Sequence, residues 1–365
     1  MKIVSYNKTY TVEITDHLDV QNIADGVNSL FVVDMKVYEI YKDSLLRGVD
    51  RELVMLLDAD EAQKTIDTAL DVCKRMAEVS FKRNDTLISV GGGIIQDITG
   101  FAANIYNRGV RWTFIPTTLL AQCDSCIGGK TSLNFLNYKN ILGTFYAPDR
   151  IVIDLHFIST LSQDDYLSGL GEVAKFNIMA ARDGVNLLEK HMDKLLQRDS
   201  ETLRMFLHRS LAFKKKYIEE DEFDKGVRNL LNFAHTFGHA FETVSHYAIP
   251  HGQSVTLGLL MANIISFKRG LLDEKLKSRI EALCAKLVSV KLQYQWFIVE
   301  DIINAMKRDK KRTSNQLTAV IFKTDLSLEI IHDLQMTEVE QSLYELVESI
   351  LPNTKFLQYE NTIVK

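Results

Sequence analysis

Proline is scarce in this chain: four residues in 365, of which only Pro250 and Pro352 lie beyond residue 160. Little therefore interrupts helices in the second half. Cysteine is equally scarce. Four cysteines in a chain this long make no disulfide framework. Cys123 and Cys126 do form a C-x-x-C. No second pair of similar spacing follows, which argues against a structural zinc site and leaves them as small residues packing a loop. No run of about 18 apolar residues occurs, so no membrane-spanning helix is expected. Met1 to Lys8 carries no apolar signal core, and a cytoplasmic location is expected. Positive charge is not in excess either. Lys and Arg number 43 against 48 Asp and Glu, a net charge of −5. Nucleic acid is thus not an expected partner. Repeats and low-complexity linkers are absent.

What is present is ordinary globular composition, 46% hydrophobic and 25% charged, with length enough for two cored domains. Short apolar runs alternate with helical patterns in the first part. Ser29 to Val33 ends at Asp34, and Leu53 to Leu57 ends at Asp58. Glu61 to Ser80 has helical spacing; Thr86 to Val90, Trp112 to Ile115 and Ile151 to Ile153 read as further strands. Such alternation predicts a parallel sheet with helices on both faces. From about Gln163 the apolar residues keep helical spacing almost to the end. The expected organisation is an α/β nucleotide-binding domain with a parallel sheet over 1–160, then a mainly α-helical domain over 161–365.

The densest stretch runs from Gly91 to Asn140. Gly91-Gly92-Gly93 follows the apolar run Leu87-Ile88-Ser89-Val90 and precedes a helical pattern. Strand, tight turn and helix N-terminus together suit a pyrophosphate. Glycine turns after strands are often only turns, however, and this one lacks the G-x-G-x-x-G spacing. A second glycine pair follows in Asp124-Ser125-Cys126-Ile127-Gly128-Gly129-Lys130-Thr131, then Lys139-Asn140. Further on, His235 and His239 are four apart, on one helix face. Two imidazoles plus a carboxylate from another helix would make a catalytic zinc set; a pair of histidines that merely packs helices is the alternative.

Taken in order, the stretch resembles the 3-dehydroquinate synthase family, within the wider sugar-phosphate cyclases. The matching residues are the three glycines, Asp97, Gly100-Phe101, Tyr106, Arg108-Gly109, Pro116-Thr117-Thr118-Leu119-Leu120-Ala121, Asp124-Ser125, Gly128-Gly129-Lys130-Thr131, Asn134 and Lys139-Asn140. The resemblance spans roughly residues 30 to 315, and it implies a dehydroquinate synthase-like fold with NAD and Zn²⁺ or Co²⁺. The metal ligands it implies are Glu172 of Glu172-Val173-Ala174-Lys175, His235 and His251, with His239 touching substrate instead. For the cofactor it implies Glu61, Lys64, Gly91, Gly92, Gly93, Asp97, Thr117, Thr118, Lys139, Phe157 and Thr160, beside Asp34 at a strand end. A carboxylate on the ribose hydroxyls favours NAD over NADP. For a seven-carbon sugar acid phosphate it implies Lys130, Asn140, Asp124, Lys175, Lys214, Arg228, Asn232, His239 and Lys310, with Lys311 the alternative to the last. Arg108 matches an arginine that reaches across a homodimer.

The implied reaction is that of a phosphate-eliminating carbon–oxygen lyase serving aromatic amino acid biosynthesis through the shikimate pathway. Bound NAD⁺ oxidises a ring hydroxyl, phosphate leaves, the hydride returns, the ring opens and an aldol closes the carbocycle. Keeping Lys214, Arg228 and Asn232 together points to the carboxylate-bearing substrate, 3-deoxy-D-arabino-heptulosonate 7-phosphate. Departures from the family pattern are Phe223 for Arg, Asp224 for Glu, Cys126 for Ser, Gln253 for Glu and Ala234 for Gly. They leave an amino-analogue cyclase of a specialised pathway open, and a metal-dependent polyol dehydrogenase is the rival of another class.

Overall fold

Continuous burial on both faces builds the sheet of the first unit. Phe31, Val33, Ile88, Val90, Ile115 and Val152 join one apolar cluster. Their neighbours Leu30, Val32, Leu87, Phe114, Ile151 and Ile153 are just as buried. Both faces are therefore covered, as a parallel sheet requires. The computed structural model describes residues 1–6, 8–23, 28–136, 138–308, 317–350 and 357–358. It divides into Met1–Leu161 with Leu207–Phe223, and Ser162–Phe206 with Asp224–Lys365.

The first unit contains β1 (Lys2–Val4), β2 (Thr9–Thr15), β3 (Ser29–Asp34), β4 (Val54–Leu57), β5 (Thr86–Gly91), β6 (Arg111–Pro116), β7 (Lys130–Phe135), β8 (Tyr138–Phe145) and β9 (Arg150–Asp154). Seven of these form one sheet in the order β1-β2-β9-β6-β5-β3-β4. Only β1 runs antiparallel to its neighbour. Helices α1 (Val20–Ile23) and α2 (Met35–Tyr41) supply residues to or pack against the first apolar cluster. Helix α3 (Ile66–Glu78) packs on α4 (Gly93–Ile105), which lies against β5 and β6. From β3 the chain steps out to β4, then back across to β5. The strand order reverses between β3 and β5, and open parallel sheets bind ligands at the carboxyl ends of strands at such a point. Strands β7 and β8 form a separate antiparallel hairpin. Sequence reading assigned no strand to that stretch, because its polar, glycine-bounded residues show no strand period.

The second unit is helical: α5 (Gln163–Met179), α6 (Ala181–Leu196), the start of α7 (Ser200–Glu220), α8 (His235–Val244), α9 (His251–Lys268), α10 (Glu274–Ala285), α11 (Val299–Arg308) and α12 (Met336–Glu345). The later part of α7, from Leu207, groups with the first unit. Helical spacing does not continue unbroken to α12. Strands β11 (Leu317–Phe322) and β12 (Leu328–Leu334) form an antiparallel pair, and β10 (Leu292–Gln293) pairs with β13 (Leu357–Gln358). Leu317 to Phe322 is too short an apolar run for its period to tell strand from helix. Among the described residues no helix is long and apolar enough to cross a membrane.

Helix α9 is the axis of this unit. It is buried without a break from Gly252 to Ser266, and α5 from Tyr166 to Met179. Helices apolar all round belong inside a core. The two approach until their backbones touch. A Cβ on Gly171 would stand 2.1 Å from the Gly252 carbonyl oxygen, and one on Gly252 would stand 1.7 Å from that of Ser168. The Ser168 hydroxyl accepts from the Gly252 N–H at 2.9 Å across this crossing. Helix α8 meets α9 in the same way, a Cβ on Gly258 lying 2.1 Å from the Ala234 oxygen.

Gly252→Ala must separate α5 from α9. It is expected to lower the free energy of unfolding by about 3 kcal/mol, the upper range for overpacking. Urea denaturation checks this; a change under about 0.5 kcal/mol, the usual effect of a surface substitution, would show a crossing that yields easily.

Candidate active site

Each glycine contact delivers a neighbouring side chain. Gly171 precedes Glu172, and Gly252 follows His251. Ala234, which touches Gly258, precedes His235. Glu172, His235 and His251 accordingly converge. The Glu172 Oε1 is 3.4 Å from His235 Nε2 and 3.3 Å from His251 Nε2. Lys175, one turn along α5, places its ammonium 2.6 Å from Glu172 Oε2. Glu172 and Lys175 are fully buried.

These residues fit a divalent ion. Metal–ligand bonds of about 2.0–2.1 Å in a tetrahedron set ligand atoms about 3.3 Å apart. The observed spacings match. Both imidazoles also have the far nitrogen engaged: His235 Nδ1 contacts the Phe233 carbonyl oxygen at 3.1 Å, and His251 Nδ1 the Glu242 carboxylate at 2.9 Å. That leaves each Nε2 to face Glu172, the outer pattern that fixes a metal-binding tautomer. Burial works against the charge on Glu172, yet Lys175 and His235 hold its carboxyl well below the usual range. Burial and Lys175 push His235 down to about 4. His251 is pulled the other way, to about 10, because Glu242 and Glu172 override its burial. Glu242 is lowered despite its own burial, mainly by His251.

The second unit places other expected residues near this set or deep in its core. The His239 ring lies 5.4 Å from that of His235 and 6.1 Å from that of His251. Arg228 is buried in the short helical turn Val227–Asn232, whose Asn232 donates to Asn229 at 3.4 Å. Lys310 and its alternative Lys311 lie outside the described residues.

In the first unit the expected cofactor residues stand at the carboxyl ends of the parallel strands. Asp34 ends β3, Gly91 ends β5, and Thr117 and Thr118 follow β6. Phe157 and Thr160 follow β9. Helix α4 starts at Gly93, with Gly92 as its N-cap and no side-chain cap. A Cβ on Gly91 would stand 2.6 Å from Ile95, so the turn into the helix is as tight as glycine permits. The helix N-terminus is left to backbone N–H groups, which suit an anion. Asp34 is committed to capping α2, accepting from Lys36 N at 2.9 Å, and burial pushes its carboxyl up. Phe157 is a core side chain, 5.0 Å from the Tyr41 ring, and the Thr160 hydroxyl bonds Tyr41 at 2.8 Å.

The hairpin β7–β8 joins several more. Lys64 Nζ meets Asp97 at 2.6 Å and Asn140 Oδ1 at 2.7 Å. Burial pushes the Asp97 carboxyl up, against the pull of Lys64. Asn134 Nδ2 donates to Glu61 Oε1 at 2.9 Å, and Lys139 lies 3.5 Å from the same oxygen. Asn140, expected among substrate groups, thus sits within the Lys64–Asp97 network. Separately, Lys214 reaches Asp124, 2.6 Å from its carboxylate and 2.7 Å from its carbonyl. Lys130 is exposed at the start of β7. Arg108 is exposed in a turn whose Asn107, Arg108 and Gly109 all have positive φ. Cys123 and Cys126 are buried free thiols, and burial raises the latter to about 12.

Sequence reading missed Ser132 and Glu242. Ser132 donates to Asp97 at 2.9 Å and accepts from Lys64 at 3.1 Å; nothing in its spacing marked it. Glu242 had a signal: positions 235, 239 and 242 follow the i, i+4, i+7 pattern of one helix face.

A doubly wound sheet with an anion-ready helix start, together with a helical unit whose Glu172, His235 and His251 could hold a metal ion, defines a class of two-unit proteins suited to nucleotide and metal chemistry. Family profiles for the 3-dehydroquinate synthase N-terminal and C-terminal regions match residues 54–168 and 169–312. A 3-dehydroquinate synthase from Dictyoglomus turgidum is 35% identical over 320 residues, 87% of this chain and 89% of that one. The chain belongs to the 3-dehydroquinate synthase family. Among solved structures, a 2-epi-5-epi-valiolone synthase from Streptomyces hygroscopicus with NAD⁺ and Zn²⁺ bound is similar at a TM-score of 0.80 and 25% identity, covering 93% of this chain and 97% of that one. A 2-deoxy-scyllo-inosose synthase complexed with carbaglucose-6-phosphate, NAD⁺ and Co²⁺ shares the fold, with a TM-score of 0.82 at 20% identity, covering 94% and 99%.

His251→Ala is expected to lose bound Zn²⁺ altogether, because three protein ligands leave none to spare. Metal analysis after gel filtration checks this, and full stoichiometry in the variant would remove His251 from the ligand set.

Proposed function

We propose that the chain is a 3-dehydroquinate synthase, converting 3-deoxy-D-arabino-heptulosonate 7-phosphate to 3-dehydroquinate and phosphate. The observation that carries this reading is the convergence of buried Glu172 with His235 and His251, with buried Lys175 beside it, in a chain whose relatives bear that name. When bound, the ion supplies Lewis acidity toward a substrate hydroxyl, and the nicotinamide supplies a hydride acceptor and donor. Glu172, His235 and His251 would hold the ion. The glycine turn and the α4 N-terminus would hold the pyrophosphate, with Glu61 toward the ribose. Lys175 keeps positive charge at the buried carboxylate. Arg228, with Asn232, suits the substrate carboxylate, and His239 lies beside the metal set. The protein's share of the work is then orientation and charge complementarity. On this reading the enzyme is a phosphate-eliminating lyase of the shikimate pathway, acting in the cytoplasm.

The test is incubation of the chain with Zn²⁺, NAD⁺ and the heptulosonate phosphate. Phosphate and cyclic product should appear in equal amounts while NADH stays constant. NADH accumulating with product would replace this reading by a polyol dehydrogenase, and preferential turnover of an amino analogue by a specialised cyclase. Arg228→Ala should lower kcat/KM by about 30- to 1000-fold, the effect of about 2–4 kcal/mol for losing a buried charged contact, with NAD⁺ affinity unchanged. Unchanged kinetics would mean that Arg228 does not meet the substrate.

A two-fold homodimer belongs to the same proposal. Arg108 presents its side chain from an exposed, left-handed turn, a place suited to reaching a neighbouring chain. In an isologous dimer each Arg108 would complete the partner's site. Mixing Arg108→Ala with His251→Ala chains should then restore part of the activity, since one site per heterodimer keeps both residues. No recovery in verified heterodimers, or full activity in a monomer, would refute the shared site.

A further inference from the structure

The structure assigns Glu242 as the positioning residue of the metal centre. This rests on reading Glu172, His235 and His251 as that centre. Glu242 lies on α8, seven residues after His235, and its side chain is largely enclosed, at 14% exposure. Its Oε1 is 2.9 Å from His251 Nδ1. The opposite ring nitrogen of His251 is 3.3 Å from Glu172. The imidazole is thereby held between two carboxylates; with an ion bound, the Nδ1 proton would face Glu242 and the Nε2 lone pair the ion.

The two histidines are not fixed alike. His235 is turned by a neutral backbone oxygen, that of Phe233. His251 is turned by a full negative charge. A charged acceptor makes its imidazole the more basic ligand. It also offsets charge: a divalent ion beside Glu172 and Lys175 carries a surplus that a second carboxylate halves. Glu242 can also be grouped with His239 and His251 as a direct ligand set, their donor atoms lying within 4.8 Å of one another. The 2.9 Å contact argues against that use. It is a hydrogen-bond length, shorter than the separation of two ligands on one tetrahedral ion, about 3.3 Å.

The test uses the full chain stripped of metal, with the Glu242→Gln and Glu242→Ala variants. Zn²⁺ affinity is read by competition with a chromophoric chelator, and ligand geometry by the visible spectrum of the Co²⁺ form. Glu242→Gln, which keeps an acceptor but loses the charge, should weaken Zn²⁺ by roughly 10-fold, and Glu242→Ala by roughly 100-fold, the range typical of outer-sphere partners. Both should keep the tetrahedral Co²⁺ intensity, NAD⁺ affinity and the unfolding midpoint of the metal-free parent. Affinities within about threefold of the parent, well under that outer-sphere range, would overturn the inference. So would loss of the tetrahedral Co²⁺ spectrum in Glu242→Ala, which would make Glu242 a ligand. A parent chain that takes up no ion would instead overturn the metal reading beneath it.

Discussion

The contact between the α5 and α9 backbones at Gly171 and Gly252 is the constraint on which the Glu172–His235–His251 cluster depends. Helix axes normally stand 8–10 Å apart, held off by the side chains between them. Here no Cβ fits on either glycine, and the closer approach brings Glu172 against His251. The α8–α9 contact at Ala234 and Gly258 does the same for His235. The three donors come from three helix positions that no local sequence feature joins. Packing forces them together, and the surrounding core excludes water from Glu172 and Lys175. Two buried charges of this kind seldom stabilise a fold relative to apolar residues of the same volume. The apolar helices therefore carry the cost of the charged cluster, and α9 is buried from Gly252 to Ser266 for that purpose.

The departures from the family pattern are intelligible against the same frame. Ala234 adopts φ 71° and ψ −20°, a left-handed conformation that costs a residue with a Cβ about 1–2 kcal/mol. A glycine is the easier choice there, and the alanine is tolerated because the contact with Gly258 holds the backbone. Asp224 is also left-handed, at φ 57°, and a short acidic residue enters that region more readily than Glu. Gln253 uses both ends of its amide: its oxygen accepts from Ser289 N and Val290 N at 2.8 and 3.0 Å, and its nitrogen donates to the Ser289 hydroxyl at 3.0 Å. A glutamate would lack that donor. Phe223 stacks edge-on with Tyr6 and Phe145, at centroid distances of 6.0 and 5.3 Å. Cys126 is a buried thiol whose Sγ–H reaches the Gln122 carbonyl at 3.5 Å. Each altered residue has its own local partners or backbone reason, and none belongs to the Glu172–His235–His251 cluster.

Much of this was legible in the sequence, and the gaps have physical causes. The parallel strands of the first unit were readable because both faces are buried, giving continuous apolar runs that end in Asp34 or Gly91. Helix α5 was readable from its start near Gln163, where Ser162 caps it by accepting from Asp165 N. The hairpins were not. Polar side chains at Ser132 and Asn140 serve the Lys64–Asp97 network, and that at Asn134 serves Glu61, instead of an apolar face, so alternation is hidden in β7 and β8. For the proposed metal ligands, spacing was informative but incomplete. His235 and His239 share a helix face, so periodicity treats them as equivalent. What separates them is the partner of each ring and the reach of Glu172 from another helix. His235 has its Nδ1 turned to a carbonyl and its Nε2 to Glu172, while the third donor, His251, opens the next helix. Such a distinction arises only when helices cross. Periodicity in a single chain can therefore nominate a metal-binding face, whereas the choice of ligands on it is made by tertiary packing.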